Sequence, residues 1–295
     1  MINQLNTPTL NGNSITEKRQ EIVAYFKNTW STYESLFSLI NQDQAYYLRP
    51  EPLRHPLVFY YGHTATFYVN KLMLGKYIKQ RVNSRLEAIC AVGVDEMSWD
   101  DLNSAHYDWP AIDEVRTYRK QVYNLVLALI ETMELSLPIK QDSLAWIILM
   151  GCEHERIHLE TSSVLMRMLP LEWLTSHENW QPCLHSSSAP KNELIPVESQ
   201  LVSLGKKTTD NTFGWDNEHG HQEVDVENFS ASKFLVSNDE FMAFVKANGY
   251  QSKQFWCQEG HAWLQYTEAK MPRFWRYSDG QYFQRNLTSE MPLPL

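Results

Sequence analysis

The sequence has few cysteines and no recognisable secretion signal, which argues against a disulfide-bonded secreted protein. Its four cysteines, at positions 90, 152, 183 and 257, form no CxxC pair and no closely spaced framework. The pattern predicts reduced thiols rather than a disulfide-bonded scaffold. The N-terminus lacks a basic patch followed by an apolar core, so we predict no signal peptide and a cytoplasmic location.

Basic charge and long apolar runs are also scarce. The 295 residues carry a net charge of -9, and the pI is near 5.6. Nucleic acids and anionic membranes attract basic surfaces, so neither is expected as a partner. No apolar run approaches the roughly 20 residues of a membrane-spanning helix. A hydrophobic content of 43% in a chain of this length instead predicts two domains.

The first 170 residues contain four segments with apolar residues at helical spacing. A capping box at Ser14 begins the first helix, and Pro56 precedes the second. The predicted helices span about 14–41, 56–74, 110–133 and 141–169. Four long amphipathic helices predict a four-helix bundle over residues 14–170, a fold whose interior often holds metal ions.

Two histidines four residues apart, His154 and His158, lie on the fourth predicted helix. At 3.6 residues per turn they are about 40° apart on one face, so both rings can bind one metal ion. They interrupt an apolar stripe, where an imidazole without a partner costs free energy that coordination recovers. His63 on the second helix also points inward. We therefore predict a metal site of His63, His154 and His158; the alternative is hydrogen-bonded core histidines.

The ligand types narrow the choice of metal. Three neutral nitrogens suit iron or zinc far better than magnesium or calcium, and they leave coordination positions open. Glu160 lies about 140° around the helix from the midpoint of the two histidines. We predict that it either supports the ligands from outside or lies at the surface. Cys152 faces away from the pair and is predicted to be a packed thiol.

The second part of the chain differs from the first in composition and in the spacing of its apolar residues. Residues 171–195 show no clear period and are rich in small and polar residues, which indicates a linker. Residues 197–204 and 222–228 have the character of strands, and a capping box at Ser237 begins a short helix. We predict a mixed domain over residues 196–295, and hence a multi-domain fold, α followed by α+β.

Five stretches resemble a known family, the 5-histidylcysteine sulfoxide synthases of ovothiol biosynthesis, which share their architecture with an ergothioneine-pathway relative. Such enzymes join a DinB-like four-helix bundle to a domain similar to the formylglycine-generating enzyme, or sulfatase-modifying factor. The first three stretches are similar to the bundle and the last two to the opening of the second domain: Gly62–Phe67, Gly93–Leu102, Gly151–Thr161, Phe213–Glu218 and Val236–Tyr250.

The resemblance implies a mononuclear non-haem Fe(II) held by His63, His154 and His158. It also implies a reaction in which the sulfur of L-cysteine is joined to a carbon of the L-histidine imidazole and oxidised to a sulfoxide, with consumption of O2. Bound Fe(II) would lower the pKa of the thiol, so that cysteine binds as thiolate. Ile157, between the two histidines, matches the ovothiol branch.

The resemblance assigns no catalytic residue within the chain. The catalytic tyrosine of the family is expected beyond Leu295, and residues 196–295 are expected to form an incomplete domain, which leaves a truncated product or a second chain that supplies the remainder. An acidic loop could bind a substrate ammonium group, although loops of this composition are commonly just solvated. The candidates in that loop are Asp95, Glu96, Trp99 and Asp100.

Two other functions stay open. His154–His158 satisfies the H-E-x-x-H pattern of zinc metallopeptidases, in which Glu155 would be the general base and Glu178 the third ligand. That function would leave the inward His63 without a role. The third hypothesis is a non-catalytic, metal-binding bundle that acts as a subunit.

Overall fold

The computed structural model describes residues 5–91, 107–183 and 187–295. The chain divides into two compact units. The first comprises Met1–Gln181 and Lys207–His219, and the second Pro182–Lys206 and Gly220–Leu295. None of the helices in the described ranges has both the length and the apolar character that a membrane crossing requires.

Over its described residues, the first unit is a bundle of four long helices with one short helix between the second and third of them. Its helices are α1 Ile15–Phe37, α2 Leu57–Leu74, α3 Ser84–Ile89, α4 Ile112–Thr132 and α5 Leu144–Arg167. The four long helices are those that the apolar spacing predicts, so the four-helix bundle is confirmed. Ser14 caps α1 by accepting a hydrogen bond from the amide of Glu17, as the capping pattern indicates. The short α3 was not predicted.

Two glycines let α2 approach its neighbours closely. A methyl group on Gly151 of α5 would lie 2.1 Å from the ring of Tyr68 on α2, which is closer than any real contact. Gly62 of α2 is similarly tight, because its added carbon would lie 2.6 Å from the sulfur of Cys90. The backbone at each of these two positions can lie this close to its neighbour only because glycine has no side chain. Gly151 lies just before the histidine pair on α5.

A buried arginine ties three helices together. Arg119 of α4 is 1% exposed, and its Nη2 donates to Oε1 of Glu155 on α5 at 3.0 Å. Its Nε donates to Oε1 of Glu34 on α1 at 2.6 Å, and its guanidinium lies 4.3 Å from the ring of Trp30. Both carboxylates compensate the buried cation, so the network fixes how α5 is rotated relative to α1 and α4.

The chain after α5 packs differently from the predicted linker. Residues 171–181 belong to the first unit and contain two short 3-10 turns, Leu171–Trp173 and Glu178–Trp180. The amide of Thr175 donates to the carbonyl of Leu39 at 2.7 Å. These contacts join the segment to the end of α1, because its backbone groups find partners there rather than in water.

Lys207–His219 overlaps the stretch that resembles the opening of the second domain. In the structure this segment belongs to the first unit. The ring of Phe213 lies 4.9 Å from that of Trp146 on α5, and the amide of Leu10 donates to the carbonyl of Asn211 at 2.6 Å. Phe213, an aromatic side chain in a loop, thus packs against the bundle. The local sequence pattern does not predict this contact.

In its described residues, the second unit is a mixed domain with three small antiparallel sheets and two α-helices, which confirms the predicted α+β character. Its strands are β1 Leu194–Val197, β2 Gln200–Leu204, β3 Gln222–Val226, β4 Phe229–Ser232, β5 Trp275–Ser278, β6 Gln281–Arg285 and β7 Glu290–Pro292. β1 pairs with β4, β2 with β3, and β6 lies between β5 and β7. The strand predicted at 197–204 is divided between β1 and β2.

The helices of this unit are α6 Asn238–Lys246 and α7 Gln258–Thr267. Ser237 and Glu240 form the predicted capping box at the start of α6. The described core of the unit is thin: its buried apolar side chains are Met242, Tyr250 and Leu293.

Candidate metal centre

Three histidine rings from two helices converge inside the bundle. His63 comes from α2, and His154 and His158 come from successive turns of α5. One ring nitrogen of each residue lies within 4.8 Å of the other two. The ring centres are 5.0 Å apart for His63 and His154 and 4.7 Å apart for His63 and His158. Within the described ranges this is the one cluster of three or more such side chains with metal-ligand geometry.

The orientation of His63 is fixed from behind. Its Nδ1 lies 2.7 Å from the carbonyl oxygen of Cys90, so Nδ1–H donates and the opposite nitrogen, Nε2, keeps its lone pair. The ring also stacks on Phe59, with 4.9 Å between centres. A histidine that donates its outer nitrogen to a carbonyl and offers the other inward has the arrangement common to metal ligands.

The two histidines of α5 face each other. Nε2 of His154 lies 3.2 Å from Nε2 of His158. The His154 ring stacks almost parallel on Phe67, with 3.7 Å between centres and 8° between planes. His158 is buried and His154 is half-buried. The aromatic neighbour therefore holds His154 in place without using either of its nitrogens.

All three rings are neutral at ordinary pH. Burial lowers the pKa of His63, and burial together with the neighbouring His63 lowers the pKa of His158 to about 3. The pKa of His154 falls well below its usual value through burial and, to a lesser extent, through His158, His63 and Lys71. A neutral imidazole carries one nitrogen lone pair, so the cluster can offer three lone pairs to one cation.

A metal ion fits these residues better than mutual hydrogen bonding does. A hydrogen bond between His154 and His158 would use one donor and one acceptor, and the buried Nδ1 atoms of both rings have no partner among the described residues. Nitrogens bound to one ion at about 2.1 Å lie roughly 3.0–3.4 Å apart, which includes the observed 3.2 Å. The all-nitrogen donor set suits iron or zinc, not magnesium or calcium.

The position of Glu155 counts against the metallopeptidase hypothesis. This residue is fully buried, and its Oε1 accepts hydrogen bonds from Arg119 at 3.0 Å and Thr64 at 3.4 Å. Burial raises the pKa of Glu155, while the charge of Arg119 acts in the opposite direction. A carboxylate held in an internal ion pair is not free to act as a general base on metal-bound water. Glu178 is exposed in a 3-10 turn and is not part of the cluster.

Two other predicted residues, Glu160 and Cys152, are described and are not part of the histidine cluster. Glu160 is exposed, which corresponds to the surface alternative. Cys152 is fully buried, accepts a hydrogen bond from the Tyr68 hydroxyl at 3.5 Å, and has a pKa raised by burial. The candidates for a substrate ammonium lie outside the described residues: Asp95, Glu96, Trp99 and Asp100.

Sequence reasoning missed four contributors to the site. They are the Cys90 carbonyl, Phe67, Lys71 and Arg119. The spacing of His63, Phe67 and Lys71 at four-residue intervals could have indicated two of them, because such residues share one helix face. The carbonyl and Arg119 leave no comparable signal, since their contacts depend on tertiary packing.

Two families match successive parts of the chain. Residues 25–162 match the DinB superfamily, and residues 186–293 match the Sulfatase-modifying factor enzyme 1-like domain. The chain therefore joins a DinB-like domain to a domain of the sulfatase-modifying-factor type, as the resemblance implies.

Three relatives match this chain over part of their own length. "Ergothioneine biosynthesis protein 1" of Schizosaccharomyces pombe is 25% identical over 296 positions, which cover 86% of this chain and 34% of the relative. The protein of the same name from Neurospora crassa is 24% identical, over 73% of this chain and 26% of the relative. "Hercynine oxygenase" of Mycolicibacterium thermoresistibile is 28% identical, over 47% and 30%. The chain thus spans about a third of the length of these relatives.

Proposed function

We propose that this chain contributes the Fe(II) centre of an O2-dependent sulfoxide synthase, which joins the sulfur of a cysteine-type thiol to a carbon of a histidine-type imidazole. The observation that carries the proposal is the convergence of His63, His154 and His158 as neutral rings on one point. The names of the relatives, which refer to ergothioneine biosynthesis and to an oxygenase, support the reaction class.

The reaction balances with O2 as the sole oxidant. The S–H bond of the thiol and one C–H bond of the imidazole are broken, and a C–S bond and an S=O bond are formed. The two organic substrates lose four electrons, O2 accepts four, and the two released hydrogens leave in one molecule of water. When held by His63, His154 and His158, iron would supply the Lewis acidity that favours a thiolate and the redox chemistry with O2.

The residues of the chain would hold and orient the metal. Neutral imidazoles add no negative charge, so a bound divalent ion would keep its full charge and favour an anionic thiolate as its next ligand. The Cys90 carbonyl keeps the Nδ1 proton of His63 away from the metal side. Arg119 retains the carboxylate of Glu155, the acidic residue adjacent to His154, in an internal ion pair. This arrangement suits three-nitrogen binding without a carboxylate.

The finer proposal is that the substrates are L-cysteine and L-histidine. It rests on the resemblance of the bundle to the ovothiol branch, including Ile157 between the two α5 histidines. The competing acceptor is hercynine, which appears in the name of one relative. A direct comparison of the two acceptors decides between them.

The test is reconstitution without oxygen. The purified chain is loaded with Fe(II), mixed with L-cysteine and either L-histidine or hercynine, and then exposed to O2. We expect oxygen uptake and a coupled product whose mass equals both substrates plus one oxygen minus two hydrogens. His63→Ala should abolish both signals.

The possible negative results distinguish among the three hypotheses. Fe(II) binding without coupling would favour the non-catalytic metal-binding hypothesis. Stoichiometric zinc in the isolated protein with peptide hydrolysis that Glu155→Gln abolishes would favour the metallopeptidase. Absence of metal binding would contradict all three hypotheses that place a metal on these histidines.

A further inference from the structure

A basic side chain lies on the same face of α2 as the first metal-binding histidine. His63, Phe67 and Lys71 follow one another at intervals of four residues, so they form one row along the helix. Lys71 is half-buried in the last turn of α2. This row leads from the predicted metal position toward the end of the helix.

Contacts join the members of this row to the histidines of α5. The Lys71 ammonium lies 5.1 Å from the centre of the Phe67 ring. Phe67 stacks on His154 with 3.7 Å between ring centres. The ammonium is therefore no farther than the sum of these distances, 8.8 Å, from the centre of the His154 ring.

Lys71 has no acidic partner among the described residues, since no carboxylate there lies within ion-pair distance of its ammonium. Glu155, a fully buried acid on α5, is engaged by Arg119. With a divalent ion on the histidines, this part of the bundle would carry excess positive charge. Such a site attracts anions, and both proposed substrates carry a carboxylate.

On the basis of the function proposed above, we infer that Lys71 is a specificity-determining residue that binds a substrate carboxylate. In an extended cysteine the carboxylate lies about 4–5 Å from the sulfur, so a thiolate on the metal can place its carboxylate toward the ammonium. The carboxylate of the imidazole substrate is the other source of the same group. Phe67 contacts both the Lys71 ammonium and the His154 ring.

The test uses Co(II), whose binding and thiolate coordination are visible in absorption spectra. The chain is loaded with Co(II) without oxygen and titrated with L-cysteine or with cysteamine, which differs from it by the missing carboxylate. Calorimetry with L-histidine and histamine gives the equivalent comparison for the imidazole substrate. The variants are Lys71→Ala, Lys71→Arg and, as a matched control that removes an exposed lysine beyond α2, Lys79→Ala.

We expect Lys71→Ala to weaken binding of one carboxylate-bearing substrate about tenfold, because a charge-assisted hydrogen bond is lost. Binding of the analogue without a carboxylate should be unchanged, as should Co(II) affinity. Lys71→Arg should retain most of the binding, and Lys79→Ala should behave like the unaltered chain. Whether cysteine or histidine is affected identifies the source of the carboxylate.

Two results would overturn the inference while the proposed function stands. One is Co(II)-loaded Lys71→Ala that binds all four compounds as the unaltered chain does. The other is an equal loss for cysteine and cysteamine, which would mean that Lys71 acts on the metal or on α2 itself rather than on a carboxylate. If the unaltered chain binds no Co(II), the proposed function is contradicted, and the inference that rests on it falls with it.

Discussion

Gly151 is the position where one added methyl group should damage both packing and metal binding. In an isolated helix, alanine is more favourable than glycine by about 1 kcal/mol. In this bundle, however, the added carbon would lie 2.1 Å and 2.3 Å from two ring carbons of Tyr68. Tyr68 is fully buried and packs edge-on against Phe26 and tilted against Trp30, so its ring has little room to withdraw.

The magnitude follows from two opposing effects. Overpacking a tight core contact destabilises by about 1–3 kcal/mol, and the short distances here place Gly151→Ala at the upper end. After subtraction of the gain in helix propensity, we expect a net loss of about 2 kcal/mol in the free energy of unfolding. Separation of α2 from α5 would also move His63 away from His154, so Co(II) affinity should fall at least about tenfold.

Urea unfolding and Co(II) titration measure these two effects. The matched control is the same substitution in a Tyr68→Val background, where the ring is gone and Gly151→Ala should be neutral or stabilising. A Gly151→Ala chain that is more stable than the unaltered one and binds Co(II) equally well would refute the close approach of α2 and α5.

Three further predictions concern other parts of the chain. Arg119→Met should cost about 3–5 kcal/mol in chemical unfolding because Glu155 would be left buried without its cation, whereas addition of Glu155→Leu should recover part of the loss; equal losses would contradict a buried ion pair. The metal-free protein should lose stability as pH falls below 6.5, because the folded state lowers the pKa of His154 and His158 and the unfolded chain therefore binds more protons. Between pH 6.5 and 5.5 the loss should be about 1 kcal/mol per histidine. Thermal melting measures it, and the same pH dependence in the double variant His154→Gln, His158→Gln as in the unaltered chain would contradict this explanation. Ser237→Ala should remove the capping box of α6 and cost about 1 kcal/mol in the second unit, with no change in Co(II) affinity; a change in that affinity would contradict a metal centre built from residues of the first unit alone.

The local sequence pattern was sufficient to predict the helices and caps that depend on contacts within a few residues. The apolar spacing of the four long helices and the caps at Ser14 and Ser237 reflect interactions within a few residues, and the structure contains them. The i, i+4 spacing of His154 and His158 likewise fixes that both rings share a face. These features needed no knowledge of the rest of the chain.

Other features depend on contacts between distant residues. The Cys90 carbonyl meets His63 from 27 residues away, and Arg119 meets Glu155 from 36. Lys207–His219 packs on the bundle because Phe213 finds Trp146, a contact that no periodicity encodes. The sequence therefore predicts which residues are able to bind a metal, while tertiary packing decides which carbonyls, acids and cations surround them.

The most direct test of the central claim is X-ray absorption spectroscopy of Fe(II) bound to the purified chain without oxygen. Three histidine nitrogens on one iron per chain are expected, with one imidazole lost from the spectrum in His63→Ala. Iron that is absent, or whose spectrum is the same in His63→Ala as in the unaltered chain, would contradict a centre built from α2 and α5 together.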